Sequence, residues 1–132
     1  MLRRFIQKIC ILLKGVPHNT FDSFDLWDIK TNSTHSEMSF VIRHLKSRGL
    51  NPSEVKKEDL IKLDFPKHLV NLRLYHNGAL KISKPCSDCQ KLLKLCGVEK
   101  VTYSTSDPDN QFLTEDVATM VTKKSSNRCI IH

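Results

Sequence analysis

Pro85-Cys86-Ser87-Asp88-Cys89-Gln90 opens a helix. Proline suits a first-turn position because the amide hydrogen it lacks would go unbonded there, and Leu92, Leu93 and Cys96 carry an apolar face on to Gly97, which stops the helix. Val98 to Ser104 then reads as a strand through Val98, Val101 and Tyr103. Upstream, Leu69 to Tyr75 alternates as a strand, His76-Asn77-Gly78 supplies a turn, and Ala79 to Ile82 can return as a second strand. Strands alternating with a helix make this the centre of an α/β fold.

Further toward the N-terminus, Thr34 to Arg48 is the most regular helix. Met38, Val41, Ile42 and Leu45 fall on one face and Gly49 ends it. Residues 53 to 63 form a shorter helix through Val55, Leu60 and Leu63, capped by Ser53, with Pro66 beyond its end. Asn19 to Lys30 has no clean period and reads as a loop with a few extended residues. The run Ile9 to Leu13 suits a buried strand as well as a helix segment. Toward the C-terminus, Asp107-Pro108-Asp109-Asn110 is a loop, and Thr114 with Glu115 and Asp116 begins a last helix containing Val117, Met120 and Val121.

No repeat or linker interrupts this succession. The expectation is one domain over residues 1–124, with residues 50–66 as a helical insertion and residues 125–132 as a basic tail. Its architecture would be a three-layer α/β sandwich, a central mixed sheet with helices on both faces.

The 132 residues include 21 Lys and Arg against 14 Asp and Glu, a net charge of +7 that favours anionic partners such as nucleotides, polynucleotides or acidic membrane. The apolar run at Ile9 to Leu13 falls far short of the roughly 20 residues of a membrane span. Cys129-Ile130-Ile131-His132 has the outline of a prenylation box, but a terminal His is not a usual acceptor. Five scattered cysteines and no credible secretory leader favour a reducing, cytoplasmic setting over a disulfide framework. Cys10 and Cys96 then read as small core residues.

Cys86 and Cys89 read differently. Two thiolates spaced so at a helix start can point at one ion, and the free amides of that turn stabilise their charge. A single such pair also fits a redox couple or two buried thiols. His35 is the leading third ligand because it too begins a helix, and Glu37 follows two residues later. One His and two Cys leave the fourth tetrahedral position open, as in catalytic zinc, where a nearby carboxylate can take a proton from water. Thr34-His35-Ser36-Glu37 also satisfies the capping-box pattern, in which Glu37 bonds the first amide of the helix.

His35-Ser36-Glu37-Met38 followed by Pro85-Cys86-Ser87-Asp88-Cys89 resembles the zinc-dependent cytidine and deoxycytidylate deaminase superfamily, whose signature is H-x-E followed by P-C-x-x-C. The resemblance covers roughly residues 8 to 122. It implies that His35, Cys86 and Cys89 hold zinc and that Glu37 is the proton shuttle, not a ligand. Hydrolysis would then occur at C4 of a cytosine, with Glu37 protonating the ring nitrogen and the departing ammonia. Asn19 is matched to the family's Asn that bonds sugar or base, with Asn32 the weaker match. Ser36 and Pro85, next to the ligands, and Tyr103, at the end of a strand on the metal side, complete the substrate-binding set.

Blander readings stand beside these. Phe21, Phe24 and Trp27 can stack on a base or fill a core. Asp22, Asp25 and Asp28 lack the glycine turn and closing Glu of a calcium loop and read as a solvated edge. Two rival functions remain open: a protein that binds or edits RNA or single-stranded DNA, and an inactive relative in which zinc staples an interaction domain. A homo-oligomer is compatible with either.

Overall fold

The alternating pattern around Asn71 and Val101 builds the middle of a four-stranded sheet. The structure, a computed structural model, describes residues 9–14, 24–31, 35–75 and 77–124. Strand β1 (Ile9–Lys14) pairs in parallel with β4 (His68–Arg73), β4 pairs in parallel with β5 (Lys100–Ser104), and β5 pairs antiparallel with β6 (Phe112–Asp116). The order β1-β4-β5-β6 is therefore a mixed sheet. A separate hairpin is made by β2 (Phe24–Leu26) and β3 (Ile29–Thr31). Helix α1 (Ser36–Ser47) connects β3 to the 50–66 region, and α2 (Ser87–Leu95) lies between β4 and β5.

Both helices pack on one face of the sheet. Two parallel crossovers step in the same direction, from β1 to β4 and from β4 to β5, and the handedness of such connections puts their helices on the same side. Helices α1 and α2 touch each other, as this requires. Leu69, Asn71, Val101 and Tyr103 face them and are buried, together with Met38, Val41, Leu45, Leu92 and Leu93. Each of these large apolar side chains contributes about 1.5–3 kcal/mol by leaving water. The opposite face carries a polar ladder, His68 Nε2 to Thr102 Oγ1 at 2.7 Å and Thr102 Oγ1 to Thr114 Oγ1 at 2.6 Å. Among the described residues no helix covers that face, so of the expected three layers the sheet and one helical layer are present. No helix among them is long and apolar enough to cross a membrane.

Three of the expected helices and strands take other forms. The last helix from Thr114 is instead β6: its acidic residues do not start a helix, because the chain turns back after Asn110 and Lys100 to Ser104 offers a whole ladder to pair with. Only a turn follows, with the Met120 amide donating to the Asp116 carbonyl. The helix at residues 53 to 63 is two short 3-10 turns, Pro52–Glu54 and Lys57–Lys62, separated by extended backbone at Val55 and Lys56. The cap is Asn51, whose side chain accepts from the Ser53 amide, and Ser53 itself lies inside the turn. The return strand at Ala79 to Ile82 is reduced to a bridge between Leu74 and Leu80, with the Tyr75 amide donating to Ala79 and the Lys81 amide to Arg73, after which the Ser83 amide crosses to the Ser104 carbonyl of β5. The ambiguous run at residues 9–14 is a strand.

The aromatic segment is more ordered than a loop. Trp27 and Asp28 form the hairpin turn with φ of 52° and 62°, a left-handed conformation that glycine usually supplies. The indole N–H holds it in place by donating to the Val55 carbonyl at 2.7 Å. Phe24 and Trp27 pack ring to ring within the core, which settles these two as core residues. Phe21, Asp22, the alternatives Asn19 and Asn32, and the tail at residues 125–132 lie outside the described residues.

Candidate metal centre

Two helix starts meet at the C-terminal end of the parallel strands, where crossover connections in α/β sheets leave a crevice. His35 is the N-cap residue of α1 and Cys86 that of α2. Each sits in extended backbone just before its helix, so its side chain leaves the axis and projects into the space between the two ends. His35 Nδ1 lies 3.3 Å from Cys89 Sγ and 3.4 Å from Cys86 Sγ. The three donor atoms all fall within 4.8 Å of one another and can hold a metal ion. Bonds of about 2.3 Å to sulfur and about 2.0–2.1 Å to nitrogen, at a tetrahedral angle, require a nitrogen–sulfur separation of about 3.5 Å. The observed separations fit that requirement.

The donor set is also prepared electronically. The Cys86 thiol is lowered to about 4, chiefly by the hydrogen bond from the Cys89 side chain, with His35 and the Cys89 amide adding to it against the opposing effect of burial. A thiolate, the form that binds metal, therefore persists far below the usual thiol range. Because the folded value is depressed, the stability it confers is present above the unfolded value near 9 and is lost as pH falls through about 4. In metal-free protein the gap in thermal midpoint between wild type and Cys86→Ser should accordingly be widest at alkaline pH and close near pH 4. Calorimetry across that range measures it. Cys96 behaves oppositely: burial raises its thiol to about 12, as befits an inert core residue.

Glu37 is fully buried in the first turn of α1, two residues from His35. With His35 as N-cap, Glu37 stands one position short of the place a capping box requires. Its carboxylate accepts instead from the Ser36 hydroxyl at 3.0 Å on Oε1 and from the Asn71 amide at 3.1 Å on Oε2. Asn71 in turn donates to the Ser83 carbonyl at 3.4 Å, and the Ser83 hydroxyl donates to the Asn71 carbonyl at 2.8 Å and meets the Ser104 hydroxyl. The strap leading into Cys86 is thus stitched to the ends of β4 and β5.

Of the residues singled out from sequence, His35, Cys86 and Cys89 come together as one cluster, and Ser36 contacts Glu37 directly. Pro85 is fully buried immediately before the Cys86 cap. Tyr103 lies on the same sheet face as Asn71, its register partner, but its hydroxyl is engaged by the Glu115 carboxylate, and the Lys84 ammonium sits 5.6 Å from its ring centre. Burial and the Glu115 carboxylate push the Tyr103 hydroxyl up to about 12. Lys84 closes this trio with a 3.0 Å ion pair to Glu115. Asn19 lies outside the described residues.

Asn71, Ser83 and Lys84 were not anticipated. Asn71 alone left a trace in the sequence, a polar residue at a position where Leu69 and the alternation call for an apolar one. Asp28, read as part of a solvated edge, is exposed and pairs with Lys57 at 2.6 Å. No protein-family model, curated protein or solved structure matches this chain.

Proposed function

We propose that this protein is a zinc-dependent hydrolytic deaminase acting on the cytosine of a nucleoside or nucleotide. The observation that carries the reading is the meeting of one imidazole nitrogen with two cysteine sulfurs at zinc-like separations, with a buried carboxylate two residues from the imidazole. His35, Cys86 and Cys89 would hold the ion. Three protein ligands leave one position of a tetrahedral zinc open, and zinc so held makes water acidic enough to react near neutral pH.

The remaining work falls to Glu37. Its carboxylate takes a proton from the attacking water and delivers it to the ring nitrogen N3, then takes the remaining proton from the hydroxyl formed at C4 and passes it to the exocyclic amine as the C4–N bond breaks. Water is consumed and ammonia leaves, so cytosine becomes uracil. Burial keeps bulk water from competing for these protons, and the hydrogen bonds from Ser36 and Asn71 hold the carboxylate in one orientation.

A second reading, in which the substrate is a single-stranded polynucleotide, is favoured by an open groove of about 390 Å³ beside Trp27, rimmed by Lys91, Lys94 and the paired Lys57 and Asp28. Lys91 and Lys94 are exposed on α2, the helix that carries Cys89. Zinc-loaded protein incubated with cytidine, its mono- and triphosphates, adenosine and short oligonucleotides, with ammonia as readout, separates the readings. Release from a cytosine mononucleoside or mononucleotide supports the first. Release from oligonucleotides alone, suppressed by salt, supports the second. Zinc without ammonia from any of them contradicts both and leaves a metal-stapled interaction domain.

A further inference from the structure

We propose that Asn71 is a positioning residue that fixes the Glu37 carboxylate relative to the metal ligands, an inference that rests on reading Glu37 as the proton carrier. Asn71 stands on β4 at a fully buried position facing the helices. Its Nδ2 donates at once to Glu37 Oε2 and to the Ser83 carbonyl. Both partners are acceptors, so the orientation of the amide is determined: turned over, it would set oxygen against oxygen twice.

That orientation leaves Asn71 Oδ1 buried with no hydrogen-bond partner among the described residues. An unsatisfied buried acceptor opposes folding, so packing against Leu69 and its neighbours does not account for an Asn here. Its place between two segments of the chain does, because its Nδ2 serves an acceptor on each. Ser83 lies three residues before Cys86 on the strap that brings that thiolate to the metal centre, and Glu37 belongs to the helix that starts at His35. One side-chain amide thus ties the acid on α1 to the segment that delivers a ligand from α2. The Ser36 hydroxyl holds the other carboxylate oxygen but belongs to the same turn as Glu37, so it cannot set the acid's position against the second helix.

In zinc-loaded Asn71→Ala the expected result is kcat reduced about 10- to 100-fold, the scale on which residues supporting a metal site act, with KM within about twofold and the zinc content of wild type retained. A merely structural role would lower the folded, zinc-bearing fraction and leave turnover per zinc unchanged. Unchanged kcat per zinc in folded Asn71→Ala overturns this proposal alone. Wild-type protein that releases no ammonia from any cytosine compound overturns the functional reading and this proposal with it. Should Asn71→Ala fail to fold, side-chain amide NMR decides. The Asn71 Nδ2 protons are expected to shift between wild type and Glu37→Gln, and signals identical in the two proteins overturn the contact on which the proposal stands.

Discussion

Replacing Glu37 by Gln is expected to lower turnover roughly 100- to 10,000-fold, the usual contribution of a positioned general acid and base, while leaving zinc content and fold intact. The substitution is benign structurally for a specific reason. Among the described residues, Glu37 accepts one hydrogen bond from the Asn71 amide and one from the Ser36 hydroxyl. A Gln carbonyl can keep the first, and its NH2 can donate to the Ser36 hydroxyl, which accepts as readily as it donates. Neither of these two contacts is stranded, so activity lost in a folded, zinc-loaded variant reports lost proton transfer. Ala would be a poorer probe, because it removes the carboxylate and leaves the Asn71 amide with the longer bond to Ser83 alone. Steady-state ammonia release per bound zinc, measured beside a thermal melt, provides the check. A Glu37→Gln protein with near wild-type turnover removes Glu37 from the chemistry.

The second large effect is expected at the sulfurs. Cys86→Ser should abolish stoichiometric zinc and lower the thermal midpoint of zinc-loaded protein by on the order of 10 °C. An ion present at a hundred times its Kd adds about 2.7 kcal/mol, and each kcal/mol moves the midpoint of a domain of this size by about 4 °C. Here too the substitution separates two roles of one residue. Cys86 caps α2 by accepting from the Cys89 amide at 3.5 Å, and a serine oxygen is among the best acceptors at that position. The helix start survives while the soft ligand is lost. Metal-free Cys86→Ser should therefore melt close to metal-free wild type at pH near 4, where the wild-type thiolate is itself protonated. Elemental analysis after dialysis, with calorimetry of loaded and chelator-treated samples, tests both parts.

The grouping of His35, Cys86 and Cys89 was legible because ligand-type side chains stand at two helix starts, a His at one and two Cys three apart at the other. The helix through Met38, Val41 and Leu45 was legible because its apolar residues recur at the spacing of one helical face, and all three of those side chains are fully buried. Strand β6 was not. Thr114, Glu115 and Asp116 carry the local marks of a helix start, yet the state of that segment is decided by the ladder that β5 presents and by the engagement of Glu115 with Tyr103 and Lys84. Residues 53 to 63 failed for a related reason. Their apolar spacing suits one helix, but Val55 is held extended with its carbonyl accepting from the Trp27 indole, a contact between residues far apart in the chain. Asn71 is the instructive case for the site, since a lone polar residue in a strand looks like noise until the acid it bonds is known.

X-ray absorption at the zinc edge of the loaded wild-type protein tests the central claim most directly, because it reads the ligand atoms themselves. The account predicts about two sulfurs near 2.3 Å and about two nitrogen or oxygen neighbours near 2.0–2.1 Å, with one sulfur lost in Cys86→Ser or Cys89→Ser if any ion remains. A spectrum with no sulfur neighbours, or protein that takes up no zinc at all, contradicts it.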